Sequence, residues 1–436
     1  MFRSHRLILG LVFGLITALA GQTQTYRYSR VLEIPDLSFI HAVFTGLDVL
    51  EQLDFKPLKE KTIGVLCNQA SVDRNRRHLL ELLQAQQDIT VKIIFAPEFG
   101  LAGNASDKLK ILGKEGFDPV TGARILELGR GSHYVTPPDW ALDGLDLILV
   151  DIQDTGVRYS TYITTITKLI EAAAAWNIPM MVLDRPNPLR GDRVEGPVIR
   201  PSYQSFEGYH LVPIRHGLTI GEYVLMVNEM GWAKELARVD LTIIPLANWR
   251  RSMWYDETGL PWIAPRPDTP DPAHLLAYCG MNLLRGANLN VGFGMKAPYM
   301  MVGAPWIAGN RLLKRLQDER LKGVAFRAVR YTPGNTSLLN TVPQYTQQRS
   351  GGVIMEITDR NTFDPVATAT TILVLVHQLY PREFQWVGGD YVDRLFGHGL
   401  LRTFVAQGKP PTYLPPQWMH DEIKFNEFRQ TFLLYP

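Results

Sequence analysis

Three carboxylates stand out by where they fall in the sequence. Glu98 directly follows the apolar run Val91–Ala96. A carboxylate at the end of such a run needs a partner or a task, because burying it unpaired is costly. Asp154 lies just past a second apolar run, in Asp151-Ile152-Gln153-Asp154-Thr155-Gly156-Val157-Arg158-Tyr159. Glu195 sits in the turn-like Val194-Glu195-Gly196-Pro197. Around them stand Asn68, after Ile63–Cys67, and the cluster Asp184-Arg185-Pro186-Asn187-Pro188. Tyr162 opens a helical pattern, and His216 lies in Arg215-His216-Gly217. Each has a plain structural reading beside the chemical one. Asp154 can cap a helix, Asp184 and Arg185 can pair with each other, Asn187 can make a turn, Glu195 can be an exposed acid and His216 a packed imidazole. Taken together, acids, amides and guanidinium groups with aromatics nearby suit glycoside hydrolysis. There one carboxylic acid protonates the leaving oxygen and a second group supports the cation-like transition state.

Other chemistries lack their signatures. The chain has no G-x-S-x-G elbow, no H-E-x-x-H or C-x-x-C, no Walker A, and no G-x-G-x-x-G after its early apolar runs. No metal or nucleotide cofactor is therefore expected.

The elements that must position these residues are short apolar runs separated by helical patterns. The runs are Ile63–Cys67, Val91–Ala96, Asp146–Asp151, Pro179–Asp184 and Asp240–Pro245. Over 162–175 the apolar residues Tyr162, Ile163, Ile166, Leu169, Ile170 and Ala173 follow the 3.6-residue period, and Thr219 with Glu222 forms a capping-box pattern for a helix at 220–230. Buried runs alternating with helices predict an α/β fold, a Rossmann-like, doubly wound and mainly parallel sheet, over 55–245 after a lead-in at 21–54. In such a sheet the ligand cleft lies beyond the carboxyl ends of the strands, where the polar residues above collect. Prolines crowd 246–272, which reads as an ordered loop or linker. Residues 273–436 read as a second, smaller α+β domain, with strand-like runs at 324–330 and 353–357 and an apolar helix near 366–380.

At 436 residues the chain is long for one core, and its 45 basic against 43 acidic residues leave a net charge of +2. So balanced a chain is not expected to bind nucleic acid. Arg3, His5 and Arg6 precede the apolar stretch 7–20, and Ala18-Leu19-Ala20 supplies a small-x-small cleavage pattern. Residues 1–20 read as a signal peptide, which predicts an exported protein, periplasmic or extracellular, with no membrane span after cleavage. The two cysteines, Cys67 and Cys279, are not expected to form a bridge.

Several short segments, in order, resemble one known family. They are Ala96-Pro97-Glu98-Phe99-Gly100, Asp151 to Tyr159 with Thr161-Tyr162-Ile163, Leu183-Asp184-Arg185-Pro186-Asn187-Pro188, Val194-Glu195-Gly196-Pro197 and Arg215-His216-Gly217-Leu218-Thr219-Ile220-Gly221-Glu222. Thr258-Gly259-Leu260-Pro261-Trp262 and Gly303-Ala304-Pro305-Trp306 follow. Together they resemble the NamZ-type exo-β-N-acetylmuramidases, bacterial enzymes of peptidoglycan turnover, over roughly residues 55–400. The resemblance implies release of terminal N-acetylmuramic acid from the non-reducing ends of wall fragments, with peptidoglycan fragments as partners. It implies Glu98 as general acid, with Glu195, Asp154 or the substrate's own acetamido group as its counterpart. Asn68, Arg158, Tyr162, Asp184, Arg185 and Asn187, with His216, would position the sugar and its lactyl carboxylate, a group that the planar fork of arginine suits. This chain departs from the family pattern at Phe99, at Pro265-Arg266-Pro267-Asp268, and at Arg285, Val291 and Phe293. At one of these, Arg285 is a candidate for recognising a different acidic group. Two other readings stay open: a protein that binds wall fragments without cleaving them, and a hydrolase shifted to a related amino sugar.

Overall fold

Seven short strands form one parallel sheet in the computed structural model, which describes residues 26–38, 41–101, 103, 116–129, 132–335, 342–413 and 415–436. The expected signal peptide at 1–20 lies outside the described residues. The strands are β1 (Ser29–Val31), β2 (Lys61–Cys67), β3 (Ile89–Ala96), β4 (Arg124–Glu127), β5 (Leu147–Asp151), β6 (Met180–Leu183) and β7 (Leu241–Ile244). Their order across the sheet is β1-β7-β6-β5-β2-β3-β4, and every pairing is parallel. The chain runs from β2 outward to β3 and β4, then returns to build β5, β6 and β7 on the other side. The order therefore reverses between β2 and β5, and in open sheets that is where ligands bind.

Every residue of β5, β6 and β7 is buried, which is why these strands read as unbroken apolar runs. Helices cover both faces. On one face lie α1 (Gly46–Gln52) and α2 (Leu79–Gln84), whose leucines pack with Ile63, Val65, Leu147 and Leu149. On the other lie α3 (Thr161–Trp176) and α4 (Ile220–Met230), packed on Ile148, Val150, Met180 and Val182. The Thr219–Glu222 capping box is present at the start of α4, with both reciprocal bonds made. Strands β1 and β4 gave no signal in the sequence because they are only three and four residues long and carry Arg30, Arg124 and Glu127.

The smaller domain holds an antiparallel sheet in the order β8-β10-β9, from β8 (Met301–Ala304), β9 (Val324–Tyr331) and β10 (Ser350–Ile357). Its core combines α5 (Pro272–Met281), α6 (Gly309–Asp318), α7 (Pro365–Leu379), α8 (Tyr391–Phe396) and α9 (Leu400–Ala406). Cys279 is buried in this core and Cys67 in a separate one under the large sheet, and both are free.

Two segments do more than their sequence suggested. Residues 246–272 contain no strand, but Trp249, Tyr255 and Leu260 are buried with Val43 and Leu246, so the segment is packed against the large domain. The last helix, α10 (Met419–Arg429), falls within the stretch read from sequence as the smaller domain, yet Phe425 and Phe432 pack into the core formed by α3 and α4. Arg429 there bonds the carbonyls of Gly191, His216 and Gly217 at 2.9, 3.0 and 2.8 Å. Among the described residues no helix is long and apolar enough to cross a membrane.

Candidate active site

Past the end of β3 the chain turns sharply at Pro97-Glu98-Phe99-Gly100, closed by a bond from the Gly100 N–H to the Pro97 carbonyl at 2.8 Å. Phe99 has φ 75°, a left-handed conformation that is strained for an aromatic residue. Burial of its ring holds it there: Phe99 is 6% exposed and lies 4.9 Å beneath the Arg266 guanidinium. The turn leaves Glu98 partly exposed, with the Gly129 backbone passing alongside. Its Oε2 accepts a bond from the Thr161 hydroxyl at 2.5 Å. Thr161 is the first residue of α3, so the carboxylate stands at the amino end of a sixteen-residue helix, where negative charge is favoured.

Beside Glu98, the ring of Tyr162 is buried and its hydroxyl donates to the Pro265 carbonyl. The Gln69 amide donates to the neighbouring Ala264 carbonyl at 2.5 Å. These two bonds draw the proline-rich segment over the strand ends. That segment supplies Arg266, whose fork grips Asp268 at 2.9 and 3.0 Å, and Asp268 also accepts from the Tyr299 hydroxyl at 2.6 Å. Burial opposes the Asp268 charge, but Arg266 and these bonds hold its carboxyl below the usual range. Arg266 lies between the rings of Phe99 and Tyr278, at 4.9 and 4.7 Å. A wall of alternating aromatic and charged groups thus runs from the Glu98 turn into the smaller domain.

Sequence reasoning named Thr161 and Asp268 only as members of motif segments, gave neither a role, and passed over Tyr278 and Tyr299. A signal was present for Asp268: alternate prolines in Pro265-Arg266-Pro267-Asp268 favour extended backbone and set arginine and aspartate two apart.

The remaining candidates fall into different places. Asp154 lies in the turn that leads into α3, and both its oxygens are engaged, by the Ser160 hydroxyl at 2.5 Å and the Gly156 N–H at 2.9 Å. Burial raises its pKa. Asn68 is fully buried, bonding the Gln153 carbonyl at 3.3 Å and the Ala70 N–H at 3.0 Å.

Five of the expected substrate-binding residues are buried and bonded to protein groups, although the Arg158 Nε is buried with no partner. Arg185 grips Asp151 with both arms of its fork and also bonds the Val72 carbonyl at 3.1 Å. Asp184 accepts from the Arg185 N–H, the Thr219 hydroxyl, the Gly221 N–H and the Tyr435 hydroxyl, the last at 2.5 Å. Burial pushes its pKa up to about 7. Asn187 spans the Leu218 carbonyl and the Leu189 N–H, at 2.8 and 2.9 Å. Arg158 donates to the carbonyls of Pro197, Val212 and Leu395, at 2.6, 2.7 and 2.8 Å, and so ties the two domains together. His216 accepts from the Leu218 N–H at 3.1 Å against the Tyr223 ring, and burial lowers its pKa to about 3.

Glu195 is placed apart from Glu98 as well. Its Oε1 accepts from Arg215 at 2.8 Å, and its charge faces Asp364, which caps α7, and Glu422 of α10. The Glu422 carboxylate accepts from the Gly196 N–H at 2.7 Å. These three acids come from three segments of the chain and meet at the seam between the domains. Arg285 closes the far end of the aromatic wall, between the rings of Phe293 and Tyr391, with a bond to the Asn282 amide oxygen at 3.1 Å. Among the described residues no group of three His, Cys, Asp or Glu side chains is placed to hold a metal ion.

Comparison with known proteins bears on this geometry. Residues 63–273 match the model of the N-terminal part of exo-β-N-acetylmuramidase NamZ, and residues 276–435 match that of its C-terminal part. The chain is 32% identical over 430 residues to the peptidoglycan β-N-acetylmuramidase NamZ of Bacillus subtilis (strain 168), covering 98% of this chain and 97% of that one. Two crystal structures of DUF1343 family proteins from Bacteroides fragilis NCTC 9343 are similar in fold. One has a TM-score of 0.81 at 28% identity, over 91% of this chain and 99% of that one. The other has a TM-score of 0.71 at 26% identity, over 90% and 99%.

Proposed function

The chain belongs to the NamZ family of exo-β-N-acetylmuramidases, and from that premise we propose that it removes terminal N-acetylmuramic acid from the non-reducing ends of peptidoglycan fragments. It is a glycoside hydrolase acting on peptidoglycan. The observation that carries the residue assignment is Glu98. It is partly exposed at the carboxyl end of β3, beside the reversal point of the sheet, and is held by Thr161. Glu98 gives its proton to the leaving glycosidic oxygen as the bond to the anomeric carbon breaks.

The second role falls to the substrate's acetamido group. Asp154 has both oxygens bonded within its turn, and Glu195 is paired with Arg215 through Oε1 at the domain seam, where its Oε2 is buried without a partner. The acetamido oxygen bonds to the anomeric carbon as the leaving sugar departs. Water then opens that ring, with the Glu98 carboxylate taking its proton.

The test uses purified wall fragments of defined ends, with products followed by mass spectrometry. Free N-acetylmuramic acid is expected from fragments ending in that sugar, and none from fragments ending in N-acetylglucosamine. Cleavage inside the chains, or no product at all, would overturn the proposal. The basic and apolar start of the sequence, together with this substrate, supports action outside the cytoplasm. Fractionation of cells producing the full-length chain checks that directly.

A further inference from the structure

A muramic acid differs from its parent amino sugar by a lactyl ether, a short methyl-bearing stalk that ends in a carboxylate or continues into the stem peptide. The arginines expected to read that acid, Arg158 and Arg185, are taken up by protein carbonyls and by Asp151. The other buried arginines near the strand ends are likewise matched: Arg215 with Glu195, Arg251 with Glu222, and Arg266 with Asp268.

Arg285 differs from all of these. Among the described residues it has no carboxylate within ion-pairing distance, and the side-chain bond it makes runs from Nη1 to the neutral amide of Asn282, at 3.1 Å. Its guanidinium is flanked by Phe293 and Tyr391, each ring centre 5.9 Å away, which leaves its bonding edge available for an acceptor. It lines a cavity of about 160 Å³ whose other walls include Leu289, Val291, Phe293 and Tyr391 with the amide residues Asn290 and Gln344, and no acid among them. A small pocket with one guanidinium, neutral amides and apolar side chains fits a carboxylate carried on a short alkyl stalk.

Packed side chains, with Tyr278 and Tyr299 fully buried among them, connect the pocket to the Glu98 turn through the core. From Phe99 the wall passes through Arg266 to Tyr278, then from Tyr278 to Tyr299 at 5.0 Å, from Tyr299 to Phe293 at 5.4 Å, and on to Arg285.

Resting on the function proposed above, we infer that Arg285 is the specificity residue that reads the carboxylate of the substrate's muramyl side chain, while the surrounding apolar walls take its alkyl stalk. Arg285 acts on recognition and has no part in bond cleavage.

The test compares chromogenic β-glycosides of N-acetylmuramic acid, of its lactyl carboxamide, of N-acetylmuramyl-alanine and of N-acetylglucosamine, using the full chain with Arg285→Ala and Arg285→Lys. Arg285→Ala is expected to raise KM for the acid-bearing muramoside by about 10- to 100-fold with little change in kcat, the loss of one charge-assisted fork. Arg285→Lys recovers part of that loss. The wild-type enzyme should lose a similar factor on the lactyl carboxamide. A penalty confined to the free lactyl acid places that acid in the pocket. A penalty on the alanine-extended substrate as well places the stem's acid there. Equal slowing of all four sugars by Arg285→Ala, or no change on the muramosides, would overturn the inference. If the wild type turns over no muramoside, the function proposed above fails by itself. Calorimetric binding of N-acetylmuramic acid to wild type and Arg285→Ala then still decides the role of Arg285.

Discussion

The ends of β3 and of the neighbouring β5 and β6 carry the same kinds of residue and use them in opposite ways. Beyond β5 and β6, Asp151, Arg185, Asp184 and Asn187 are buried, and their polar atoms are matched by other groups of the protein. Beyond β3, Glu98 is partly exposed and the bond it accepts comes from a single hydroxyl. The difference teaches that a polar residue at a strand end is no indication of a ligand contact by itself. What separates Glu98 from those four residues is its exposure, since buried atoms beyond β5 such as the Gln153 Oε1 and Thr155 Oγ1 also lack partners. Arg285 is partly exposed like Glu98, whereas Arg158 is buried and bonded to three carbonyls.

The strongest way to break the comparison is to remove the Glu98 proton while keeping its shape. Glu98→Gln is expected to lower turnover of a muramoside by about 10²- to 10⁴-fold, the usual size of a general-acid contribution, with an unchanged thermal melt. Comparable turnover by the variant would place the acid elsewhere.

Arg185→Ala tests the opposite region. It leaves Asp151 buried without its partner and should cost roughly 3–5 kcal/mol of stability in urea unfolding, with any activity loss tracking the unfolded fraction. A stable but inactive Arg185→Ala would move Arg185 back among the substrate contacts.

The seam acids sharpen the contrast through pH. Burial and the neighbouring acids push Asp364 up to about 7 and Glu422 up to about 8, while the unfolded chain titrates them near ordinary carboxylate values. With folded pKa values raised, their contribution is fully present below the unfolded pKa and is lost as pH rises through about 7 to 8. Unfolding midpoints measured from pH 4 upward should therefore carry a declining component. Glu422→Gln should flatten it, and an unaltered slope would exclude Glu422 as its source.

The smallest effect is expected at Tyr435→Phe. It removes one of the bonds to Asp184, leaves those from Thr219 and Gly221, and should cost about 1–2 kcal/mol without changing KM.

The parallel sheet was legible because its central strands are buried on both faces and so read as apolar runs with helical periods between them. Glu98 was legible for the same reason, as a charge set hard against such a run. The bonds of Arg158 and Arg185 were not, because their partners come from distant segments that no local pattern announces, whereas the turn at Asn187 and the packed imidazole of His216 match the plain readings of the sequence. Leu395, for example, which receives a bond from Arg158, lies 237 positions along the chain. The cleft wall was hidden in a proline-rich stretch that looked like a linker. Only the bonds from Tyr162 and Gln69 to its carbonyls reveal that it covers the strand ends.

The bond from Tyr435 to Asp184 has a consequence for how the molecule comes into being. It closes a loop of 251 positions, and the same tail places the Leu434 N–H on Glu222 and Arg429 on the carbonyls of Gly191, His216 and Gly217. Until that tail packs, the polar interior of the larger domain lacks these donors. Contacts so far apart are slow to close. The larger domain, although it comes first in the sequence, thus completes its polar interior only with the last segment of the chain.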